Sequence, residues 1–226
     1  MEFLDEINNI ANREQLWIGD AQELPGPLKG KLPVEPPPYK SKFTWIIDPG
    51  HGPATVGKRS PVWPDGTQLL EWEFNHDIAD RLCRMLDEVR ISYVRTVKPT
   101  RSMGNALDLR CEIANAVEGP AYFVSIHANA FSDERVNGTE TFHYPGSVRG
   151  ERLATVFHRR LQPALNRTDR GVKAANFQVL REITHPGCLV ECLFMTNRID
   201  CNLLMNDRVR NTIAESLFNA ILDMET

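Results

Sequence analysis

From Phe43 onward, short apolar runs take turns with longer segments whose apolar residues recur every three or four positions, and that alternation leaves few architectures open. Residues 43–47, 92–97, 122–126, 139–144, 177–180 and 189–193 read as strands. Residues 70–89 read as a helix with Phe74, Ile78, Leu82, Leu86 and Val89 on one face, and residues 105–116 as another. A third follows Ser147, with Leu153, Val156, Phe157, Leu161 and Leu165 inward and Pro163 expected to kink or shorten its end. Asn206 or Asp207 caps a last helix carrying Val209, Ile213, Leu217 and Ile221. Strands and helices in this order predict an α/β fold: a single, mostly parallel, twisted sheet of about six strands with helices on both faces.

The first 41 residues follow a different pattern. Phe3, Leu4, Ile7, Ile10 and Ala11 stand at helical spacing, and residues 25–38 hold six of the fifteen prolines, which excludes regular helix or a central strand there. The expected division is an N-terminal helix and proline-rich connector over 1–41, then one α/β domain over 42–226. The first basic residue is Arg13 and no apolar run near it exceeds three residues, so no secretory leader is expected and the chain is expected to be made in the cytoplasm. No stretch approaches the ~20 apolar residues of a membrane span, so stable membrane insertion is not expected. The net charge of −4 supplies no positive field for nucleic acid. Five cysteines without a CxxC pair suggest buried thiols rather than a disulfide framework or a thiolate metal site.

In open α/β sheets ligands bind beyond the carboxyl ends of the strands, so polar residues that directly follow apolar runs are the first candidates. Trp45-Ile46-Ile47-Asp48-Pro49-Gly50-His51-Gly52 leaves His51 at the sheet's edge, and Val124-Ser125-Ile126-His127-Ala128-Asn129 presents His127 in the same way. Leu189-Val190-Glu191-Cys192-Leu193 sets a carboxylate inside an apolar strand, where an unpartnered charge costs several kcal/mol. Two imidazoles and one carboxylate with an open fourth position make a catalytic zinc set. Glu71 and Glu73 both qualify as its third member, since both sit in the first turn of the helix after the His51 loop. Each feature alone has an ordinary explanation, because a strand-end histidine is usually a satisfied surface or core group and acidic first-turn residues suit the helix dipole. His76, His143, His158 and His185 keep that ordinary reading. So do Glu140 as an exposed strand residue, Arg110 as a surface ion pair and Asp169-Arg170-Gly171 as a turn.

Taken together, the segments carry a resemblance. Ile47-Asp48-Pro49-Gly50-His51-Gly52, Leu70-Glu71 with Asn75, Ser125-Ile126-His127-Ala128-Asn129, Asp169-Arg170-Gly171-Val172-Lys173, and Leu189-Val190-Glu191 with Thr196-Asn197 follow one another in an order similar to that of the zinc-dependent N-acetylmuramoyl-L-alanine amidases. That is the autolysin-type family of peptidoglycan hydrolases, which includes phage endolysins. The resemblance implies that His51, Glu71 and His127 bind zinc, with Glu71 preferred over Glu73 because the family's ligand precedes an Asn by four residues. It implies that Glu191 is the catalytic carboxylate. Pro53 and Cys192-Leu193 depart from the family pattern, and both lie outside the implied ligand set.

The activity implied is hydrolysis, by zinc-activated water, of the amide joining the lactyl group of N-acetylmuramic acid to L-alanine in peptidoglycan. A phage endolysin or an intracellularly made autolysin would act on the wall after release, through a holin in the phage case. Two competing readings are a zinc carboxypeptidase-like enzyme and a metal-free wall-binding or virion structural protein. The first usually has a His and a Glu three residues apart, whereas 20 separate His51 from Glu71 here. The second has no use for an intact set of His51, Glu71, His127 and Glu191.

Overall fold

The computed structural model describes residues 41–100 and 102–226. The N-terminal helix and nearly all of the connector expected over 1–41 lie outside the described residues. The elements run β1 (Thr44–Pro49), α1 (Glu71–Glu88), β2 (Tyr93–Arg95), α2 (Leu107–Asn115), β3 (Ala121–Asn129), β4 (Thr139–His143), α3 (Val148–Leu165), β5 (Asp169–Ala174), α4 (Gln178–Arg181), β6 (Gly187–Phe194), α5 (Arg198–Met205) and α6 (Asp207–Glu225). One six-stranded sheet collects the strands in the order β2-β1-β3-β6-β4-β5. Every neighbouring pair is parallel except β4 with β6, so the expected mostly parallel sheet is present.

Helices cover both faces, unequally. Trp45, Ile46 and Ile47 of β1 are all fully buried, as a strand covered on both sides requires. On one face α1, α3 and α6 pack together and on the sheet. Trp45 stacks on Tyr122 at 5.4 Å between ring centroids and meets Phe157 of α3 at 6.1 Å. On the other face Ile46, Phe123 and Leu189 pack with Cys111 and Ala114 of α2 and with Val179 and Leu180 of α4. Each buried Ile, Leu, Val or Phe among them contributes ~1.5–3 kcal/mol by leaving water. The second layer is thin, since α2 has 9 residues and α4 only 4. It leaves the carboxyl ends of β1, β3 and β6 uncovered on that face. Because β2 and β3 pair on opposite sides of β1, the chain changes direction between β1 and β3, and that switch point is where a crevice opens.

Local sequence accounts for the helix ends. Ser147 caps α3 by accepting from the Gly150 N–H at 3.1 Å, and Asn206 rather than Asp207 caps α6, accepting from the Val209 N–H at 3.2 Å. Pro163 sits inside the last turn of α3, which continues to Leu165 and stops at Asn166 in a left-handed conformation, φ 47°. Among the described residues no helix is long and apolar enough to cross a membrane.

The structure corrects two expectations and adds one element. Residues 177–180 are not a strand: α4 forms there, with the Arg181 and Glu182 N–H groups donating to the carbonyls of Phe177 and Gln178 four residues back. Asp169-Arg170-Gly171 is not merely a turn but the start of β5, a half-exposed edge strand whose charged residues suit a sheet margin. Residues 198–205 form α5, an element the apolar pattern did not suggest.

Candidate metal centre and active site

The site is built where β1 and β3 end. The Gly50 N–H donates to the Ile126 carbonyl at 3.0 Å, keeping the chain beside β3 for one residue beyond β1. His51 then adopts φ 62°, a left-handed conformation uncommon for a residue with a Cβ. Two donors hold it there: Arg110 Nη2 at 2.7 Å and His76 Nε2 at 3.3 Å both approach the His51 carbonyl. Burial lowers the His76 pKa to about 4, so its ring is neutral, accepting from Arg95 at Nδ1 and donating from Nε2. Asn105 Oδ1 lies 2.5 Å from His51 Nδ1, an acceptor that fixes the proton there and leaves the Nε2 lone pair free.

That lone pair faces Glu71, and so does His127. Glu71 Oε1 is 3.2 Å from His51 Nε2 and 2.9 Å from His127 Nδ1. The two rings stand edge to face, centroids 4.9 Å apart. Gly50 makes room for this arrangement, since a Cβ there would fall 2.1 Å from Cε1 of His127. Glu71 is 2% exposed in the first turn of α1, whereas Glu73 is exposed on the same helix. The three expected ligands are therefore together, with all donor atoms within 4.8 Å of one another.

Their chemistry fits a metal ion. Four ligands at ~2.0–2.1 Å in a tetrahedron lie ~3.3 Å apart, close to the two separations from Glu71. Burial works to raise the Glu71 pKa, but the two imidazoles beside it, His127 first, outweigh it and hold the carboxyl below its usual range. Burial pushes the His127 imidazole down despite Glu71 beside it. An ionised carboxylate and a neutral imidazole are the protonation states that bind a divalent cation.

Glu191 is the register neighbour of His127 across β3 and β6, so it lies on the same face of the sheet. Its Oε2 is sealed from solvent and has no hydrogen-bond partner. Burial, reinforced by the negative charge of Glu71, pushes the Glu191 carboxyl well above the usual carboxylate range. A stabilising ion pair with Arg170 or Arg181 does not explain it, because Arg170 pairs with Glu140 and Arg181 with Glu182. These groups border a cleft of about 270 Å³, into which Lys58 and Phe177 also face.

Comparison with known proteins identifies the family. The model of the N-acetylmuramoyl-L-alanine amidase family matches residues 46–223, most of the chain. The chain belongs to that family. It is 33% identical to an uncharacterized cell wall amidase of Bacillus anthracis over 85% of this chain and 37% of that protein. It is also 33% identical to the N-acetylmuramoyl-L-alanine amidase LytC of Bacillus subtilis, over 77% of this chain and 34% of the relative. The chain thus spans about a third of the length of these two relatives. Among solved structures, the amidase AmiC2 of Nostoc punctiforme superposes with a TM-score of 0.72 at 32% identity, covering 82% of this chain and 98% of that one.

Within this amidase fold, several supporting residues escaped the sequence reading. Asp48, 1% exposed, accepts from Thr96 at 2.6 Å, Ser125 at 2.6 Å and Arg110 at 2.7 Å. Burial raises its pKa, but Arg110 and the two hydroxyls bring it below the ordinary value. Arg110 is no surface residue: also 1% exposed, it further donates to the carbonyls of Asn105 and Pro49. One guanidinium thus ties together both segments that position His51. Asp48 carried the same signal as Glu191, a carboxylate closing an apolar strand, whereas nothing local marked Arg110. Glu140 is likewise buried, not exposed, on β4 opposite Glu191. The other histidines serve the structure, with His158 bonded to Thr141 and Asp169, and His185 to the Val117 carbonyl.

Proposed function

We propose that this chain hydrolyses peptidoglycan at the amide between the lactyl group of N-acetylmuramic acid and L-alanine, using zinc held by His51, Glu71 and His127. The observation that carries the reading is the unpartnered carboxylate of Glu191 beside the three convergent donors in one cleft. Zinc in such a site supplies a nucleophile from water near neutral pH and polarises the carbonyl under attack. Glu191 receives the proton of the attacking water, a role that its unpartnered position beside the three donors suits. It then passes the proton to the alanine nitrogen as the amide bond breaks. Asn105 holds the His51 ring in one tautomer, and Gly50 seats the His127 ring, so neither imidazole has to reorganise. We place the action at the cell wall, where this bond occurs, with residues 42–226 as the catalytic domain.

Digestion of purified peptidoglycan tests the reading. New alanine amino termini without free terminal amino acids are expected. Free terminal amino acids would indicate a carboxypeptidase, and binding without products would indicate a wall-binding protein.

A further inference from the structure

One strand beyond Glu191, on the same face of the sheet, Glu140 gathers two cations. Its Oε1 accepts from Asn129 at 2.6 Å, and its Oε2 accepts from both Arg170 Nε at 2.9 Å and Lys173 Nζ at 2.5 Å. Glu140 is 8% exposed, against 31% for Arg170 and 40% for Lys173. A salt bridge that merely closed the sheet edge would need one cation. Two on a single oxygen repel each other and leave one positive charge in surplus. Among the described residues, neither terminal nitrogen of Arg170 donates to an acceptor, and Lys173 uses one of its three donors. The guanidinium is steadied 5.0 Å over the ring of Phe194, and the ammonium lies 6.0 Å over that of Phe142. Phe142 in turn meets Phe177, which borders the cleft, at 5.2 Å.

Position connects this cluster to the reaction. His127, Glu191 and Glu140 are successive register neighbours across β3, β6 and β4. With strands ~4.8 Å apart, Glu140 lies ~10 Å from the imidazole across the sheet. An extended peptide advances ~3.3–3.6 Å per residue, so a carboxylate two residues past the cleaved amide stands ~7 Å beyond it, and the long, partly exposed side chains of Arg170 and Lys173 can close the remaining distance.

We propose that Arg170 and Lys173, held by Glu140, form a subsite that receives a carboxylate of the stem peptide just beyond alanine. The inference rests on the amidase reading and specifies which form of the substrate is preferred. In wall peptides the residue after L-alanine is a glutamate joined through its side chain, and its α-carboxyl is either free or amidated. The free form completes the cluster's charge, while the amide leaves the surplus cation unpaired.

The test uses the full chain loaded with zinc and two synthetic N-acetylmuramoyl tripeptides that differ only in amidation of that carboxyl. The unmodified protein is expected to favour the free acid in kcat/KM by about tenfold or more, mostly through KM. Arg170→Gln and Lys173→Gln each shrink that preference, mainly by raising KM for the free acid, while bound zinc stays near the starting value. Equal rates on the two substrates, or a preference that survives both substitutions, overturns the subsite. Loss of the preference in Lys58→Gln instead assigns the carboxylate to a cation that borders the cleft and also overturns it. Cleavage of neither substrate by the zinc-loaded protein is a different failure, which removes the amidase reading itself.

Discussion

Replacing Arg110 by Met removes a buried cation that binds the His51 carbonyl without touching the proposed ligands' donor atoms. Asp48 would remain buried with its two hydroxyl partners but no positive charge, and the carbonyls of Asn105 and Pro49 would lose their side-chain donor. Breaking a buried pair from one side costs ~3–5 kcal/mol, a large share of the ~5–15 kcal/mol that holds a domain folded. The double substitution Asp48→Asn with Arg110→Met removes both charges and is expected to recover ~2 kcal/mol or more of that loss. Acid gives an independent sign. In the unmodified protein the Asp48 carboxyl is held below its ordinary value, so its stabilising contribution is complete above about pH 4 and fades as the pH falls through the depressed native value. In Arg110→Met, burial is no longer offset by the guanidinium and the native value rises above the unfolded one. Stability is then lost as the pH rises, so this variant should gain on the unmodified protein between pH 7 and pH 5. Urea unfolding of metal-stripped protein, followed by tryptophan fluorescence at both pH values, measures each quantity. A cost below ~1 kcal/mol at pH 7, or no relative gain on acidification, would refute the account of Asp48 and Arg110 as a charged pair supporting the site.

Metal analysis should find about one zinc per chain, and chelation should abolish hydrolysis that added zinc restores. Glu71→Ala should lose the metal while Glu73→Ala keeps it, and the reverse order would mean that the wrong carboxylate was chosen. Glu191→Gln should retain zinc and a near-normal melting temperature yet lose ~10²–10⁴-fold in turnover; a folded, zinc-loaded variant with ordinary turnover would sink the proton-transfer role. Gly50→Ala should displace the His127 ring and weaken zinc binding ~10–100-fold, which competition with a chelator of known affinity would detect.

The α/β class and most of the elements were legible in the sequence, because burial on one or both faces writes a period of two or of about 3.6 into the apolar residues. That signal covers β1, β3, β6, α1, α3 and α6, whose buried faces lie where the pattern places them. It fails for α4, because four residues are too few to tell one helical turn from a strand. It fails for β5, because an edge strand needs little apolar content. His51, His127 and Glu191 could be singled out because each is a polar residue that ends or interrupts an apolar strand.

Which acidic residue joins the histidines depended on rotation about the α1 axis. Glu71 and Glu73 are two residues apart, ~200° around a helix, so one turns inward and the other to water; residue type and helix position alone do not separate them, and only the resemblance to the amidase motif preferred Glu71. The sheet register that sets Glu140 beside Glu191, and Glu191 beside His127, joins residues 51 and 64 positions apart. No short window of sequence encodes such pairings. The same holds for the buried contact between Asp48 and Arg110, 62 residues apart, which exists because α2 packs on the thinner face of the sheet. Local periodicity therefore identifies the elements and the strand-end residues proposed to carry the chemistry. Their partners, charges and protonation states arise only when packing removes water and brings distant side chains within hydrogen-bonding reach.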